Sequence, residues 1–273
     1  MFLSYTILFI IAVFIASLLL DKVNYMLERA FKTHCQQNIM IPKIIHYCWF
    51  GCNPIPMNLQ SYMDSWKALM PDWEWKRWDE DSFDIRSISW TSEAYDAKKY
   101  AFVSDYVRLY ALYEYGGLYF DTDVKLKKSL EPLCQRYDAF MGYENNEELT
   151  SAVIAVPAHH PLIEKFLVYY KDKHFSQEIV SGNVANVRMM TEICKEQGLL
   201  CNDKEQDLKL FAGTADECQV HIYPKTYFCP LDFYHNENFT NNTYAIHYFD
   251  ASWLDKKTKD RILRERSVWY KAT

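Results

Sequence analysis

Residues 116–124 read GGLYFDTDV and contain the pattern that decides the fold. The two glycines end a helical pattern, and the three apolar residues after them predict a short buried strand. Asp121 and Asp123 follow where that strand should end, and side chains two positions apart on an extended backbone lie on the same side. Converging carboxylates suit Mg²⁺ or Mn²⁺, and ligands of open α/β sheets bind outside the carboxyl ends of the strands. A single Asp-x-Asp pattern is usually a solvated turn, so the interpretation depends on the sequence around it.

The composition is that of a folded protein and not of a disordered or nucleic-acid-binding one. The chain has 273 residues, 49% of them apolar, and a formal net charge of −6. This apolar content supports the core of one large domain, and the negative charge argues against a nucleic-acid partner. The eight cysteines form no C-x-x-C pair. We therefore expect reduced, mostly buried thiols and no structural zinc site.

The amino-terminal stretch predicts a membrane anchor. Residues 2–20 carry no charged side chain, and as a helix they would span about 28 Å, close to the thickness of one hydrocarbon core. No basic residue precedes them, which argues against a cleaved signal peptide. Lys22, Arg29, Lys32 and Lys43 follow, and the positive-inside rule then places the body of the chain in the cytoplasm. The sequence therefore predicts a single-pass membrane protein with a cytoplasmic main domain.

Four segments are predicted along the chain. An anchor at 1–21 and a tether at 22–40 precede a main domain at 41–254, and a basic tail at 255–273 follows it. The tail has the composition of a helix that could lie on an anionic membrane surface or be an ordinary solvated helix. In the main domain, strand and helix patterns alternate through the first half, which favours an α/β fold with a parallel core. The predicted strands are 41–51, 73–78, 118–120, 139–143, 152–156, 220–223 and 245–248, and the predicted helices are 57–69, 92–115, 161–170 and 186–198.

Further candidate site residues lie on both sides of the two aspartates. Asp105 and Arg108 stand three residues apart in the helix that leads into the carboxylate strand, so they share one helical face. There they could bind sugar hydroxyls and a diphosphate, or they could form a simple intrahelical ion pair. His247 at the edge of a late strand is a candidate third metal ligand, although a lone histidine is more often structural. Trp49 after the first strand is a candidate for stacking on a base, although a lone tryptophan is more often part of the core.

Three motifs occur in an order that resembles glycosyltransferase family 32, the DXD-containing sugar transferases. They are IPKIIHYCWFG at 41–51, SDYVRLYALYEYGGLYFDTDV at 104–124 and HYFDASW at 247–253. The family includes bacterial polysaccharide and capsule enzymes and yeast Golgi mannosyltransferases, and the glucosyltransferase domains of clostridial toxins share its core pattern more distantly. The resemblance covers about residues 41–253 and leaves out the anchor and the tail.

The resemblance implies a GT-A fold, which is a Rossmann-like nucleotide-binding α/β sandwich, and sugar transfer with retention of anomeric configuration. It implies that Asp121, Asp123 and His247 hold Mn²⁺ or Mg²⁺, with Asp123 also counted as catalytic. The donor contacts that it implies are Trp49 on the base, Asp105 and Arg108 on the sugar as catalytic groups, Asp121 on the diphosphate, and Ser252 and Trp253 in a segment that closes over the diphosphate. Residues 181–183 read SGN where many relatives have TGP, which leaves the acceptor side unassigned.

The sequence thus predicts a hexosyltransferase that uses a nucleoside-diphosphate sugar and a glycan or glycolipid acceptor at a membrane, in polysaccharide biosynthesis. Within the family, a UDP-hexose donor is favoured over GDP-mannose. One alternative is a metal-dependent phosphohydrolase, which also uses paired aspartates, although the accompanying phosphate-binding residues are absent from the sequence. The other is a membrane-tethered glycan-binding module that needs neither metal nor nucleotide.

Overall fold

The computed structural model describes residues 40–176, 186–211, 217–232 and 236–250. The predicted anchor, the tether up to residue 39 and the basic tail lie outside these residues. The SGN residues at 181–183 and the candidate residues Ser252 and Trp253 also lie outside them. Within the described ranges, no helix is both long and apolar enough to cross a membrane.

Six helices and nine strands are described in this part of the chain. The helices are α1 (Met57–Leu69), α2 (Ser89–Asp96), α3 (Tyr100–Tyr115), α4 (Glu131–Arg136), α5 (Pro161–Tyr170) and α6 (Asn186–Glu196). The strands are β1 (Ile44–Cys48), β2 (Glu74–Trp78), β3 (Gly117–Phe120), β4 (Val124–Leu126), β5 (Phe140–Gly142), β6 (Val153–Val156), β7 (Gln206–Phe211), β8 (Glu217–Tyr223) and β9 (Ala245–His247).

The strands form one large mixed sheet and one small ladder. The seven-stranded sheet has the order β2-β1-β3-β6-β5-β8-β7, and β4 pairs with β9 separately. The expected parallel core is confirmed for β1, which runs parallel to both β2 and β3. It is wrong for β6, which runs antiparallel to β3 and β5. The short link between β5 and β6 folds back through the antiparallel bridge Tyr143↔Leu149, whereas a parallel neighbour needs a longer crossover.

Two glycines allow the central strand to lie where it does. All four residues of β3 are buried. Gly116 and Gly117 have positive φ angles of +62° and +109°, and a Cβ on Gly117 would stand 2.5 Å from the carbonyl oxygen of Ile44. Only glycine tolerates both a positive φ angle and so short a distance to a neighbouring strand. Gly116 and Gly117 therefore end α3 and allow β3 to lie against β1.

One helix of the sequence prediction is wrong. A single helix was expected over 92–115, but α2 ends at Asp96 and α3 begins at Tyr100. Lys98 takes φ +58°, and its N–H donates to the carbonyl of Tyr95, which closes the first helix. The apolar spacing continues across the break because both helices pack on the same core, so periodicity alone does not reveal it. The prediction also missed β7, although its alternation buries Leu208 and Leu210.

The strand directions bring several loops to one edge of the sheet. Since β6 runs antiparallel to both β3 and β5, those two strands share a direction, which β1 and β8 also share. The carboxyl ends of β1, β3, β5 and β8 therefore lie along one edge. Trp49 follows β1 there, Asp121 follows β3, and Glu144 lies two residues beyond β5.

Candidate active site

The β4–β9 ladder brings Asp123 beside His247. Val124 of β4 is in register with His247 of β9, and the N–H of Tyr248 donates to the carbonyl of Asp123 over 3.0 Å. Asp121 lies at the end of β3, two residues before Asp123. One ligand atom from each of Asp121, Asp123 and His247 lies within 4.8 Å of the others. The predicted three-residue cluster is thus assembled from two strand ends that are more than 120 residues apart in sequence.

Asp123 and His247 form a charged pair at this position. The Nε2 atom of His247 lies 3.3 Å from Oδ1 of Asp123, and the N–H of Asp250 donates to Oδ2 over 2.8 Å. Burial alone would raise the pKa of Asp123, but His247 and the Asp250 N–H lower it below its usual value. Burial would lower the pKa of His247, and the Asp123 carboxylate raises it well above its usual value. Each of the two groups thus favours the charged form of the other, and a cation that binds here would compete with the imidazole proton.

The residues present fit a divalent cation. Two carboxylates and one imidazole form a donor set that suits Mn²⁺ or Mg²⁺. Within the part of the chain that the structure describes, the Nδ1 atom of His247 is buried and has no hydrogen-bond partner. Nδ1 points away from Nε2, which faces Asp123, so the fit of a cation depends on Nε2 and the two carboxylates.

Arg108 is the centre of a polar network beside the cluster. Its Nη1 atom donates to Asp121 over 3.1 Å and to the carbonyl of Ser151 over 2.9 Å, while Nη2 donates to Asp105 over 3.0 Å. Its Nε atom donates to the carbonyl of Ser104 over 3.3 Å. Only 5% of the residue is exposed. The guanidinium therefore orients Asp105 and Asp121 within the protein, and its direct contact with a sugar stays a prediction.

Asp105 lies in the same network and bonds to it through one of its two carboxylate oxygens. Its Oδ1 atom accepts from Arg108 and, over 2.7 Å, from Nδ2 of Asn186. Burial and the nearby Asp121 charge raise the pKa of Asp105 to about 7, against the opposing effect of Arg108. Both contacts go to Oδ1, and among the described residues the structure shows no hydrogen bond to Oδ2. The ion pair between Asp105 and Arg108 that the sequence suggested is present, but both side chains also form hydrogen bonds to residues outside α3.

Trp49 lies at the same edge of the sheet. Its indole N–H donates to the carbonyl of Asn53 over 2.7 Å, and its backbone N–H donates to the carbonyl of Trp78. The residue is partly exposed. These contacts fix the loop after β1 and place the ring at the strand end, where stacking on a base stays a prediction.

Sequence reasoning missed several residues that the fold brings to the site. The hydroxyl of Tyr119 donates to Oδ1 of Asp121 over 2.9 Å, and alternation along β3 could have indicated this. Ser151 joins the network through the register of the sheet, and Asn186 joins it from the start of α6. Tyr62 of α1 stacks on Tyr248 with ring centroids 4.4 Å apart and an angle of 1° between the planes. No sequence pattern links these last residues to the aspartates.

Comparison with known families agrees with the motifs. Residues 56–140 match the family described as "Glycosyltransferase sugar-binding region containing DXD motif". This region contains Asp105, Arg108, Asp121 and Asp123, while His247 lies beyond it. The resemblance to DXD-containing sugar transferases that the sequence indicated is therefore confirmed.

Two curated relatives with similar sequences are named as a mannosyltransferase and as a mannosyl phosphorylinositol ceramide synthase. "Inositol phosphoceramide mannosyltransferase 3" of Schizosaccharomyces pombe is 32% identical over 134 residues, which are 48% of this chain and 37% of that protein. "Mannosyl phosphorylinositol ceramide synthase CSH1" of Saccharomyces cerevisiae is 27% identical over 234 residues, which are 82% of this chain and 57% of that protein. The chain thus spans about a third to little more than half of these relatives. Among solved structures, "PaToxG Glycosyltransferase" aligns with 65% of this chain and 80% of its own at 20% identity and a TM-score of 0.43, a likeness too loose to carry an argument.

Proposed function

We propose that this chain is a metal-dependent retaining glycosyltransferase of the GT-A type, which moves a hexose from a nucleoside-diphosphate sugar to a glycan or glycolipid acceptor. The observation that carries the proposal is the convergence of Asp121, Asp123 and His247 at the carboxyl edge of the sheet. Two of these residues lie in the region that matches the DXD family. A phosphohydrolase or a glycan-binding module accounts less well for this match.

Each residue of the site has a defined task in this proposal. Asp121, Asp123 and His247 hold the cation, and a bound Mn²⁺ or Mg²⁺ supplies positive charge to the leaving diphosphate. Asp105 offers Oδ2 to a hydroxyl of the donor sugar. Arg108 keeps Asp105 and Asp121 in place and balances their charge, because it bonds to both. The protein thereby orients the donor before any bond changes.

The names of the relatives suggest which substrates to test first. Both names include a mannosyl group and a ceramide that carries inositol phosphate. We therefore propose a glycolipid with a phosphorylated inositol head group as the first acceptor and GDP-mannose as a donor beside the UDP-hexoses favoured from the sequence. A lipid acceptor also agrees with the anchor predicted at 1–21. The location of the main domain in the cytoplasm and a role in polysaccharide or capsule synthesis stay predictions.

A panel of nucleotide sugars tests the proposed function. The full chain in detergent is incubated with UDP-hexoses and GDP-mannose, with Mn²⁺ or with a chelator, and with water or inositol phosphoceramide as acceptor. We expect one donor to release its nucleotide only with the cation, and to do so faster with the right acceptor. Asp123→Ala should abolish this release, while Asp64→Ala, which removes an exposed carboxylate from α1, should leave it unchanged.

Two results would refute the proposal in favour of an alternative. Release of phosphate from phosphate monoesters without any turnover of nucleotide sugars would indicate a phosphohydrolase. Binding of a glycan without a metal and without UDP or GDP, measured by calorimetry, would indicate a glycan-binding module. Wild-type activity in Asp123→Ala would remove the metal assignment itself.

A further inference from the structure

Glu80 lies beside the loop of residues 49–53, the Trp49 loop, and has no role so far. It follows β2 by two residues, and Trp49 directly follows β1. Since β1 and β2 run parallel, their carboxyl ends lie at the same edge of the sheet, where ligands of open α/β sheets bind. Glu80 is partly buried at this position. The two neighbouring strand ends therefore bring an acidic side chain to the loop that carries the candidate base contact.

The Trp49 loop has an uncommon backbone. Gly51 and Cys52 take successive positive φ angles of +98° and +56°. The indole N–H of Trp49 donates to the carbonyl of Asn53 over 2.7 Å, so the ring is joined to the far end of the loop. A positive φ angle at a residue other than glycine costs free energy and persists only where the surroundings fix it. The shape of the loop, and with it the place of the ring, therefore depends on contacts from other elements.

The carboxylate of Glu80 supplies such a contact at the middle of the Trp49 loop. Its Oε1 atom accepts from the backbone N–H of Gly51 over 2.5 Å. The same atom accepts from the hydroxyl of Tyr95 over 3.0 Å, and this second bond ties the carboxylate to α2. A hydrogen bond to an ionised acceptor is about twice as strong as one between neutral groups. Glu80 thus joins the strained part of the loop to a helix of the main core.

The two acidic neighbours of Glu80 serve other purposes. Oδ2 of Asp79 lies 2.8 Å from Nε of Arg77, and its Oδ1 atom accepts from the N–H of Ser82 over 3.2 Å. Asp81 is exposed. Of these three acids, the described part of the chain shows a hydrogen bond to the Trp49 loop for Glu80 alone. Asp81 is therefore a matched control for any effect of Glu80 on the loop.

We propose that Glu80 is a positioning residue of the donor site, whose carboxylate holds the Trp49 loop in the shape that presents the indole ring to the nucleotide base. This inference rests on the proposed glycosyltransferase function and on the base contact that the sequence predicts for Trp49. Glu80 acts through the backbone of Gly51, at the centre of a loop whose two ends the Trp49 indole joins.

Binding of a nucleotide and of pyrophosphate tests the inference, because pyrophosphate keeps the contact with the metal and lacks the base. We expect Glu80→Ala to weaken Mn²⁺-dependent binding of UDP or GDP about 10-fold in calorimetry, within the value of one base–aromatic stack. Mn²⁺-dependent binding of pyrophosphate should not change. Asp81→Ala removes an exposed carboxylate from the same turn and should bind both ligands as the wild-type chain does.

Two further variants and the kinetics separate positioning from a general loss of structure. Glu80→Gln keeps an oxygen that accepts from Gly51 and Tyr95, so it should restore most of the nucleotide affinity. Tyr95→Phe removes only the hydroxyl that ties Glu80 to α2, and it should weaken nucleotide binding in the same direction but by less. In Glu80→Ala, KM for the nucleotide sugar should rise while kcat at saturating donor stays, because the base lies away from the bond that breaks.

A double-mutant cycle shows whether Glu80 acts through Trp49. Trp49→Ala alone should reduce nucleotide affinity at least as much as Glu80→Ala does. Glu80→Ala added to Trp49→Ala should reduce it little further, because the effects of two residues that act as one unit do not add. Additive losses would overturn the inference, since Glu80 would then affect the nucleotide by a separate route.

The outcomes distinguish this inference from the function on which it rests. If the wild-type chain binds neither UDP nor GDP with Mn²⁺ and turns over no nucleotide sugar, the proposed function fails and the inference fails with it. If the wild-type chain binds a nucleotide and Glu80→Ala binds it equally well, only the inference is overturned. Equal losses for the nucleotide and for pyrophosphate would overturn it too, since that result assigns Glu80 to the stability of the whole site.

The inference stays testable if Glu80→Ala does not fold, because Tyr95→Phe then decides. A loss of affinity in Tyr95→Phe that is confined to the nucleotide supports the positioning role. Wild-type nucleotide affinity in that variant, or a Glu80→Gln variant that has lost the nucleotide, would overturn it.

Discussion

Nη1 of Arg108 lies 3.0 Å from Oδ1 of Asp121, and this contact joins α3 to the end of β3 inside the protein. The same nitrogen reaches the carbonyl of Ser151, and Nη2 reaches Asp105. Because the planar guanidinium bonds in several directions, one side chain holds both carboxylates in fixed positions. The site is therefore oriented by the protein before any ligand binds.

Arg108→Met should destabilise the fold strongly. Removing one partner of a buried ion pair leaves the other charge unpaired and typically costs about 3–5 kcal/mol. Asp121 and Asp105 are 23% and 14% exposed, so solvent does not replace Arg108 well. Urea unfolding followed by circular dichroism measures the change.

A matched control for this prediction is Arg86→Met. Arg86 donates two hydrogen bonds to the carboxylate of Asp96, but the two side chains are 59% and 61% exposed. Exposed pairs are worth about 0–1 kcal/mol. Equal losses in the two variants would show that burial of Arg108 does not matter to stability.

Gly117→Ala and Gly198→Ala separate steric clash from backbone strain. Both glycines have similar positive φ angles, +109° and +99°, but a Cβ on Gly117 meets the Ile44 carbonyl at 2.5 Å and one on Gly198 meets nothing within 4 Å. Gly198→Ala should therefore cost about 1–2 kcal/mol from strain alone. Gly117→Ala should cost clearly more, because β3 must also move away from β1. Similar free energies of unfolding for the two variants would contradict this account of the double glycine.

His46 should make the protein less stable in mild acid. Its Nε2 atom bonds to the carbonyl of Gly116 over 2.7 Å, and its Nδ1 atom accepts from the indole of Trp78 over 3.1 Å. The neutral ring satisfies both contacts, and burial, with a smaller effect of Lys76, lowers its pKa to about 4 although the Gly116 contact opposes this.

The sign of this pH effect follows from the direction of the shift. The unfolded chain binds a proton near pH 6.5 and the folded one only near pH 4, so stability falls as the pH drops through this window. Between pH 7.5 and 5 the loss from His46 is about 2 kcal/mol. Urea unfolding at both pH values should show a smaller loss for His46→Gln, which keeps a donor and an acceptor without titrating. An equal loss in that variant would assign the acid sensitivity to other groups.

The sequence predicted the local parts of the site and not its assembly. The two-residue period of a strand predicts that Asp121 and Asp123 lie on one side, and the 3.6-residue period of a helix predicts that Asp105 and Arg108 share a face. Both periods relate only residues that are close together in sequence. Ser151 and Glu144 could not be predicted in this way, because the antiparallel direction of β6 between β3 and β5 brings them to the edge. Asn186 reaches the network from the start of α6, far away in sequence. The sequence did not reveal the helix break at Lys98, because α2 and α3 pack on the same core and therefore share the same apolar spacing. Long-range register is set by the whole sheet, and no short pattern encodes it.

Tyr62 should support cation binding from outside the cluster. It stacks on Tyr248, whose N–H holds the carbonyl of Asp123, so the ring pair joins α1 to the segment that carries His247. An aromatic pair contributes about 0.5–1.5 kcal/mol beyond the burial of its area. Tyr62→Ala should therefore weaken Mn²⁺-dependent nucleotide binding about 2- to 10-fold in calorimetry. Tyr62→Phe keeps the ring and should bind as the wild-type chain does; an equal loss in Tyr62→Phe would instead assign the effect to the hydroxyl group.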